Sequence, residues 1–233
     1  MDTMPQPLRF VNKREPILIT RDRLPHWNQA DCVQFVTFRL ADSLPQTKLQ
    51  EYRRNKQEWL GAHPKPWDEA TEQEYEESFT AVMDRWTDAG YGECLMRTKA
   101  VRDAVADAIM HFDGDRYTIH AYVIMPNHVH VLTSPLPGFP LDKTVQSWKR
   151  YSAHDINMLT CRTGSVWESR YFDRLIRSAG DYGAKLDYII GNPANMPPDK
   201  FTLYVADSQA NRITLEQIGR SSEAIDAMVG ARR

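Results

Sequence analysis

Two apolar spacings divide the chain. Residues 32–40 (Cys-Val-Gln-Phe-Val-Thr-Phe-Arg-Leu), 117–124 (Tyr-Thr-Ile-His-Ala-Tyr-Val-Ile) and the run from Met125 to Leu132 are dense in β-branched and aromatic residues. Such runs predict strands. Ala100, Val101, Ala104, Val105, Ala108, Ile109 and Phe112 recur instead at the helical period, so 96–112 is expected to be a helix with one buried stripe. Residues 141–158 and 180–191 read as two further helices, and 170–177 as a fourth strand. The last helix should stop near Asn192, because Pro193 disfavours helix in the residue before it.

With 46–90 set aside, the order is strand, helix, strand, strand, helix, strand, helix. The first six elements form the βαββαβ pattern of a split, ferredoxin-like α+β sandwich, with an antiparallel sheet and both core helices on one face. The final helix is an addition. Residues 1–30, with Pro5, Pro7, Pro16, Pro25, Lys13, Arg14, Arg21 and Arg23, are expected to form an extended arm laid over a main domain at 31–193. Segment 46–90 carries ten acidic and six basic side chains, and Gly61–Pro66 breaks it in two. It reads as an inserted pair of amphipathic helices on the outside, with Tyr52, Trp59, Trp67, Tyr75, Phe79 and Trp86 packing rather than stacking on a ligand. Residues 194–233 form a C-terminal extension to which the pattern assigns no role.

Bulk properties narrow the function classes. Net charge is -2 over 233 residues, so a polyanion partner requires a local basic face. Cys32, Cys94 and Cys161 are widely separated and odd in number, which suits a reducing cytosol. The opening Met1-Asp2-Thr3-Met4-Pro5 lacks a signal pattern, and no apolar run approaches the ~20 residues that span a bilayer. A soluble cytoplasmic protein with no membrane partner is expected.

The chemistry gathers at Met125-Pro126-Asn127-His128-Val129-His130-Val131-Leu132. Pro126-Asn127 is turn chemistry, so this run and the preceding strand should make a hairpin. Strand alternation sends His128, His130 and Leu132 to one face and Val129 and Val131 to the other. Two imidazoles then stand side by side near a turn, either as metal ligands or as half-buried histidines bonded to their neighbours. His120 alternates onto the face of Tyr122 and Ile124 and reads as structural. In the last helix Tyr188 and Asn192 are four apart and share a face, with Lys185 one turn earlier. Alone, that tyrosine would be a core residue and that asparagine a helix stop.

Taken together, several motifs resemble the single-tyrosine HUH transposases, in particular the branch associated with repetitive extragenic palindromes (REP). These are Met125–His130, Trp148-Lys149-Arg150, Trp167, Tyr171–Arg177 and Tyr188-Ile189-Ile190-Gly191-Asn192-Pro193. Arg23–Trp27 and Phe35–Leu40 share the likeness, which covers roughly residues 20–193. The resemblance implies that His128 and His130, with Asn192 as third ligand, bind a divalent metal ion, Mg²⁺ or Mn²⁺. It implies that Tyr188, on a catalytic C-terminal helix, attacks single-stranded DNA beside a hairpin and forms a 5′-phosphotyrosine bond, which is later rejoined by transesterification. Lys149, Arg150, Arg170, Arg174 and Arg177 are the candidate phosphate contacts, in a region (141–193) of eight basic and six acidic side chains.

The chain departs from that branch in its long acidic insertion, in its tail, and after Pro193. There Ala194-Asn195-Met196-Pro197-Pro198 replaces a Val-Lys-Ala-Gly-Leu-like segment. Substrate sequence and the choice between monomer and homodimer stay open. Two other readings compete: a domesticated hairpin-binding protein that no longer cuts, and a histidine-dependent nucleotide phosphohydrolase. Histidine-triad hydrolases, however, want a third histidine where Leu132 stands, and amidohydrolase barrels need eight strand–helix units.

Overall fold

The computed structural model describes residues 7–12, 14, 15, 18–22, 24–29, 31–64 and 67–230. Pro5, Lys13, Pro16 and Arg23 of the expected arm, and Lys65-Pro66 of the expected break, lie outside the described residues. Strands β1 (Leu18–Asp22) and β2 (Leu24–Asn28) pair antiparallel as a separate two-stranded sheet, which the proline-rich reading of the arm did not anticipate. Residues 8–11 do lie over the main fold. Val33 donates to Arg9 O and Val11 donates to Ile176 O, with Leu8 and Phe10 against the core.

The main sheet has five strands in the order β6-β3-β5-β4-β7, antiparallel throughout. These are β3 (Gln34–Arg39), β4 (Tyr117–Ile124), β5 (His128–Pro135), β6 (Phe172–Leu175) and β7 (Thr202–Val205). Helices α4 (Lys99–Met110) and α5 (Leu141–Thr160) connect β3 to β4 and β5 to β6. Leaving β7 aside, the four strands stand in the 4-1-3-2 order of a ferredoxin-like sandwich. The insertion between β3 and α4 contains α1 (Gln46–Ala62), α2 (Glu69–Tyr75) and α3 (Ala81–Asp88), the last two joined by a π-turn at Glu76–Thr80. Its aromatics pack on one another, with Trp59 within 6 Å of Trp67, Tyr75 and Phe79 by ring centroid.

Strand alternation divides the sheet between two cores. Val36, Phe38, Leu40, Tyr122, Ile124, Val129 and Val131 face α4 and α5, where they meet Val101, Val105, Ile109, Leu141, Val145 and Trp148. Phe35, Ala121, Val123 and Leu132 face the other way, onto α6 (Ala179–Gly191) through Tyr182, Leu186 and Ile189. The C-terminal extension completes this second core. Leu203 and Val205 of β7, Leu215 of α7 (Gln209–Gln217) and Ile225 of α8 (Ser222–Met228) are all buried in it. Each such side chain contributes about 1.5–3 kcal/mol by leaving water. Arg102 ties the extension to the opposite layer. It is 2% exposed and donates to Met96 O, Arg97 O, Asp199 O and Thr202 Oγ1. No helix among the described residues is long and apolar enough to cross a membrane.

One expected facing is corrected. The β4–β5 register shifts between Ile119 and Ala121, so His120 sits at a bulge. A bulge breaks simple alternation. His120 therefore leaves the side of Tyr122 and Ile124 and contacts Tyr182 of α6, with Nε2 2.8 Å from Ser134 Oγ. Burial lowers its pKa to about 4, a shift that Asn211 opposes by hydrogen bonding.

This buried histidine makes the fold sensitive to acid. At pH 7 it is neutral whether the chain is folded or unfolded. Below about 6.5 the unfolded chain takes up a proton that the folded chain refuses, down to the folded pKa. Stability should fall across pH 6.5 to 4, by up to about 3 kcal/mol from this group. Urea unfolding of His120→Gln should show a shallower pH slope than the wild type; parallel curves would remove His120 as the cause.

Candidate functional site

The β4–β5 hairpin turns through Pro126-Asn127, and the Met125 amide donates to His128 O across it. β5 thus begins at His128. It lies between β3 and β4, with Arg39 opposite His128 and Thr37 opposite His130. The two imidazoles share the α6 face, ring centroids 4.7 Å apart at 74°, and each residue is 1% exposed. Each Nδ1 has a neighbour. Asn127 Oδ1 lies 2.9 Å from His128 Nδ1, and Thr37 Oγ1 lies 2.8 Å from His130 Nδ1. Partners of this kind orient metal-binding histidines and direct Nε2 toward a ligand.

Both imidazoles are held neutral, the form that coordinates metals. Burial pulls His128 down to about 3, and the Arg39 charge adds to the effect. Burial lowers His130 well below its ordinary value, helped by His128 and by the Lys185 ammonium.

Helix α6 brings the tyrosine. Ser178 Oγ caps its N-terminus by accepting from Asp181 N, and Arg174 pairs with the Asp181 carboxylate at 3.3 Å. Two turns on, Tyr188 reaches the histidines. Its hydroxyl is 3.4 Å from His130 Nε2, and its ring meets His130 edge-on at 5.1 Å between centroids. Phe35 stacks on His130 at 5.4 Å and 16° and backs Tyr188 at 6.0 Å. Lys185 Nζ lies 5.1 Å from the Phe35 ring and 5.7 Å from the Tyr188 ring. Asn192 is the C-cap of α6 and donates its backbone N–H to Tyr188 O. Its Oδ1 is buried with no hydrogen-bond partner among the described residues.

The donor set fits a divalent cation in kind: two neutral imidazoles, with an orphaned amide oxygen one helical turn beyond the phenol. Among the described residues no three His, Cys, Asp or Glu side chains converge on a metal-sized site.

The expected phosphate contacts separate. Lys149 projects from α5 to the carbonyls of Glu168, Ser169 and Arg170, and burial pulls its pKa down to about 8. Arg174 holds the start of α6. Arg150 is exposed on α5, in the layer across the sheet from the histidines, and Arg177 is exposed just before α6. Arg170 is half-buried beside the Lys149 loop. Trp148 and Trp167 are core residues, the latter donating to Ser152 Oγ.

Phe35, Thr37 and Arg39 were not singled out as site residues from the sequence. Their own alternation places them on one face, but only the β3–β5 pairing puts that face around the histidines. Arg39 pairs with Glu168, which also binds Arg53 of α1 at 3.0 Å. The insertion therefore abuts this end of the site.

Comparison with known proteins finds partial likenesses. Residues 96–189, which run from α4 through the hairpin to Tyr188, match the model of the family described as transposase IS200 like. The likeness to that model is confined to this stretch, less than half of the chain. The chain is 30% identical over 88 residues to the REP-associated tyrosine transposase of Escherichia coli (strain K12). That match covers 37% of this chain and 50% of the relative, so the chain spans about half the length of the curated protein it resembles. A solved REP-associated tyrosine transposase bound to a REP hairpin is similar over 75% of this chain and 74% of that one, at 18% identity and a TM-score of 0.41.

The engagement of Lys149 makes a stability prediction. Lys149→Ala leaves three clustered carbonyls without their cation and should lower unfolding free energy by about 1–2 kcal/mol. Arg150→Ala should change it by less than about 0.5 kcal/mol. Chemical denaturation of the two variants compares them directly.

Proposed function

We propose that this chain is a metal-dependent single-stranded DNA endonuclease and strand transferase that cuts beside hairpins through a covalent 5′-phosphotyrosine. The observation that carries the reading is the approach of the Tyr188 hydroxyl to 3.4 Å from His130 Nε2. In a stretch similar to that transposase family, this places a nucleophile-type group against a pair of neutral imidazoles. The palindromic substrate is inferred from the REP-associated relative.

In the proposed step, Tyr188 Oη attacks the scissile phosphorus. The Oη–P bond forms and the P–O3′ bond breaks. The leaving 3′-oxygen takes up a proton, and the phosphate stays on the enzyme. Rejoining reverses this with an incoming 3′-hydroxyl, so no ATP is consumed. His128, His130 and Asn192 would hold the cation. When bound, it supplies charge neutralisation on the phosphate and on the leaving oxygen. Imidazole donors suit Mn²⁺ better than Mg²⁺, which prefers an oxygen shell. His130 Nε2 cannot both coordinate and accept the phenol proton, so in the loaded site that proton goes to solvent. Lys185 adds a positive charge on the phosphate side of the tyrosine. Arg177, exposed ahead of α6, is positioned to track the strand.

The test is incubation with Mn²⁺ and labelled single-stranded hairpin DNA, followed by a denaturing gel. A protein–DNA adduct should form in the wild type, vanish in Tyr188→Phe, and fall at least ~100-fold in His128→Ala and His130→Ala. Hairpin binding without an adduct under any metal would instead indicate a domesticated binding protein. Nucleotide hydrolysis indifferent to Tyr188→Phe would indicate a phosphohydrolase.

A further inference from the structure

We infer that Asn127 is a positioning residue that dictates which nitrogen His128 presents, and that it takes its own orientation from the end of the helical insertion. The inference deepens the metal-site reading above and rests on it.

Asn127 occupies the second position of the hairpin loop, usually an exposed place, yet it is 1% exposed. An asparagine amide has two donors on nitrogen and an acceptor oxygen. Here Nδ2 donates to Thr87 O at 3.0 Å and to Tyr91 O at 3.2 Å. Carbonyl oxygens cannot donate, so these two contacts settle which end of the amide faces the insertion. Oδ1 must then point the other way, where it meets His128 Nδ1 at 2.9 Å. An amide oxygen only accepts. His128 Nδ1 therefore carries the proton, and the lone pair lies on Nε2. Turning the amide over would set Oδ1 against two carbonyls, so both contacts to the insertion would be lost.

The insertion supplies its carbonyls for a definite reason. Thr87 lies in the last turn of α3, where helix carbonyls lack intrahelical partners. Thr87 O accepts from Gly90 N at 3.2 Å, and Asn127 Nδ2 is its second donor. Thr87 is 3% exposed and anchored by its own Oγ1 donating to Met83 O. On the other side, Asn127 O accepts from Leu40 N, so the loop is clamped between the insertion and β3. Arg39 reinforces the clamp by reaching Met83 Sδ. The insertion lies outside the part of the chain that matches the transposase family, yet it sets the orientation of a ligand inside that part.

The experiment uses the full chain and three readouts: calorimetric Mn²⁺ affinity, thermal unfolding, and ¹⁵N NMR of the His128 ring without metal. Wild-type His128 should show a proton on Nδ1; a ring protonated on Nε2 overturns the inference without need of a variant. Asn127→Ala should weaken Mn²⁺ binding by roughly 10–100-fold and mix the tautomers. Asn127→Asp keeps an acceptor for Nδ1 but turns repulsive oxygen toward Thr87 and Tyr91. It should retain most of the Mn²⁺ affinity that Asn127→Ala loses, although both variants lose thermal stability; a merely structural asparagine would not separate the two variants in affinity. Phe79→Ala, which loosens the insertion's packing, should mix the His128 tautomers; an unchanged ring would overturn the insertion's part in this. If wild-type protein binds no Mn²⁺, the metal reading fails, and the tautomers alone decide for or against Asn127.

Discussion

The ladder between β3 and β5 sets Thr37 opposite His130 and Arg39 opposite His128, and the site depends on that register. Slipping it by one residue would turn every side chain of β5 to the other face. The histidines would then enter the apolar layer of α4 and α5, while Val129 and Val131 would meet the tyrosine helix. Both cores oppose the slip, because each face of the sheet has its own set of apolar partners. The same register supplies a polar neighbour for His130 that local sequence alone could not have placed.

Burying two adjacent imidazoles is costly unless their nitrogens are satisfied. Thr37 and Asn127 meet that need at the Nδ1 positions, and Phe35 and Tyr188 close over the rings. The resulting pocket is buried, and its imidazoles are neutral. The Lys185 and Arg39 charges reinforce neutrality by disfavouring protonation of the rings. Structure and electrostatics therefore favour the same protonation state.

Much of this was legible in the chain. Period-two spacing put His128 and His130 on one face, helical spacing joined Tyr188 to Asn192, and the βαββαβ order appears as expected. What escaped depends on contacts between distant segments. His120 defied alternation because a bulge shifts one residue, and nothing in Ile119-His120-Ala121 marks it. Lys149 and Arg174 were read as phosphate contacts from charge alone, but their partners, loop carbonyls and Asp181, lie elsewhere in the chain. Asn127 was taken as turn chemistry, which it is, but its side chain is spent on the insertion. β7, Thr202-Leu203-Tyr204-Val205, lay within the extension left without a role, although its residues are strand formers; four residues signify little until β4 stands beside them.

The C-terminal extension separates two notions of a domain. The segment that matches the family model ends at 189, inside α6. The lower core beneath that helix is built partly from residues that follow, Leu203, Val205, Leu215 and Ile225, and partly from Val33 and Phe35, which come long before. Cut at the borders of that match, the fragment would keep its histidines and tyrosine but leave them on a half-roofed sheet. The stretch that resembles other proteins and the stretch that water compels to collapse as a unit are, in this chain, different lengths of polypeptide.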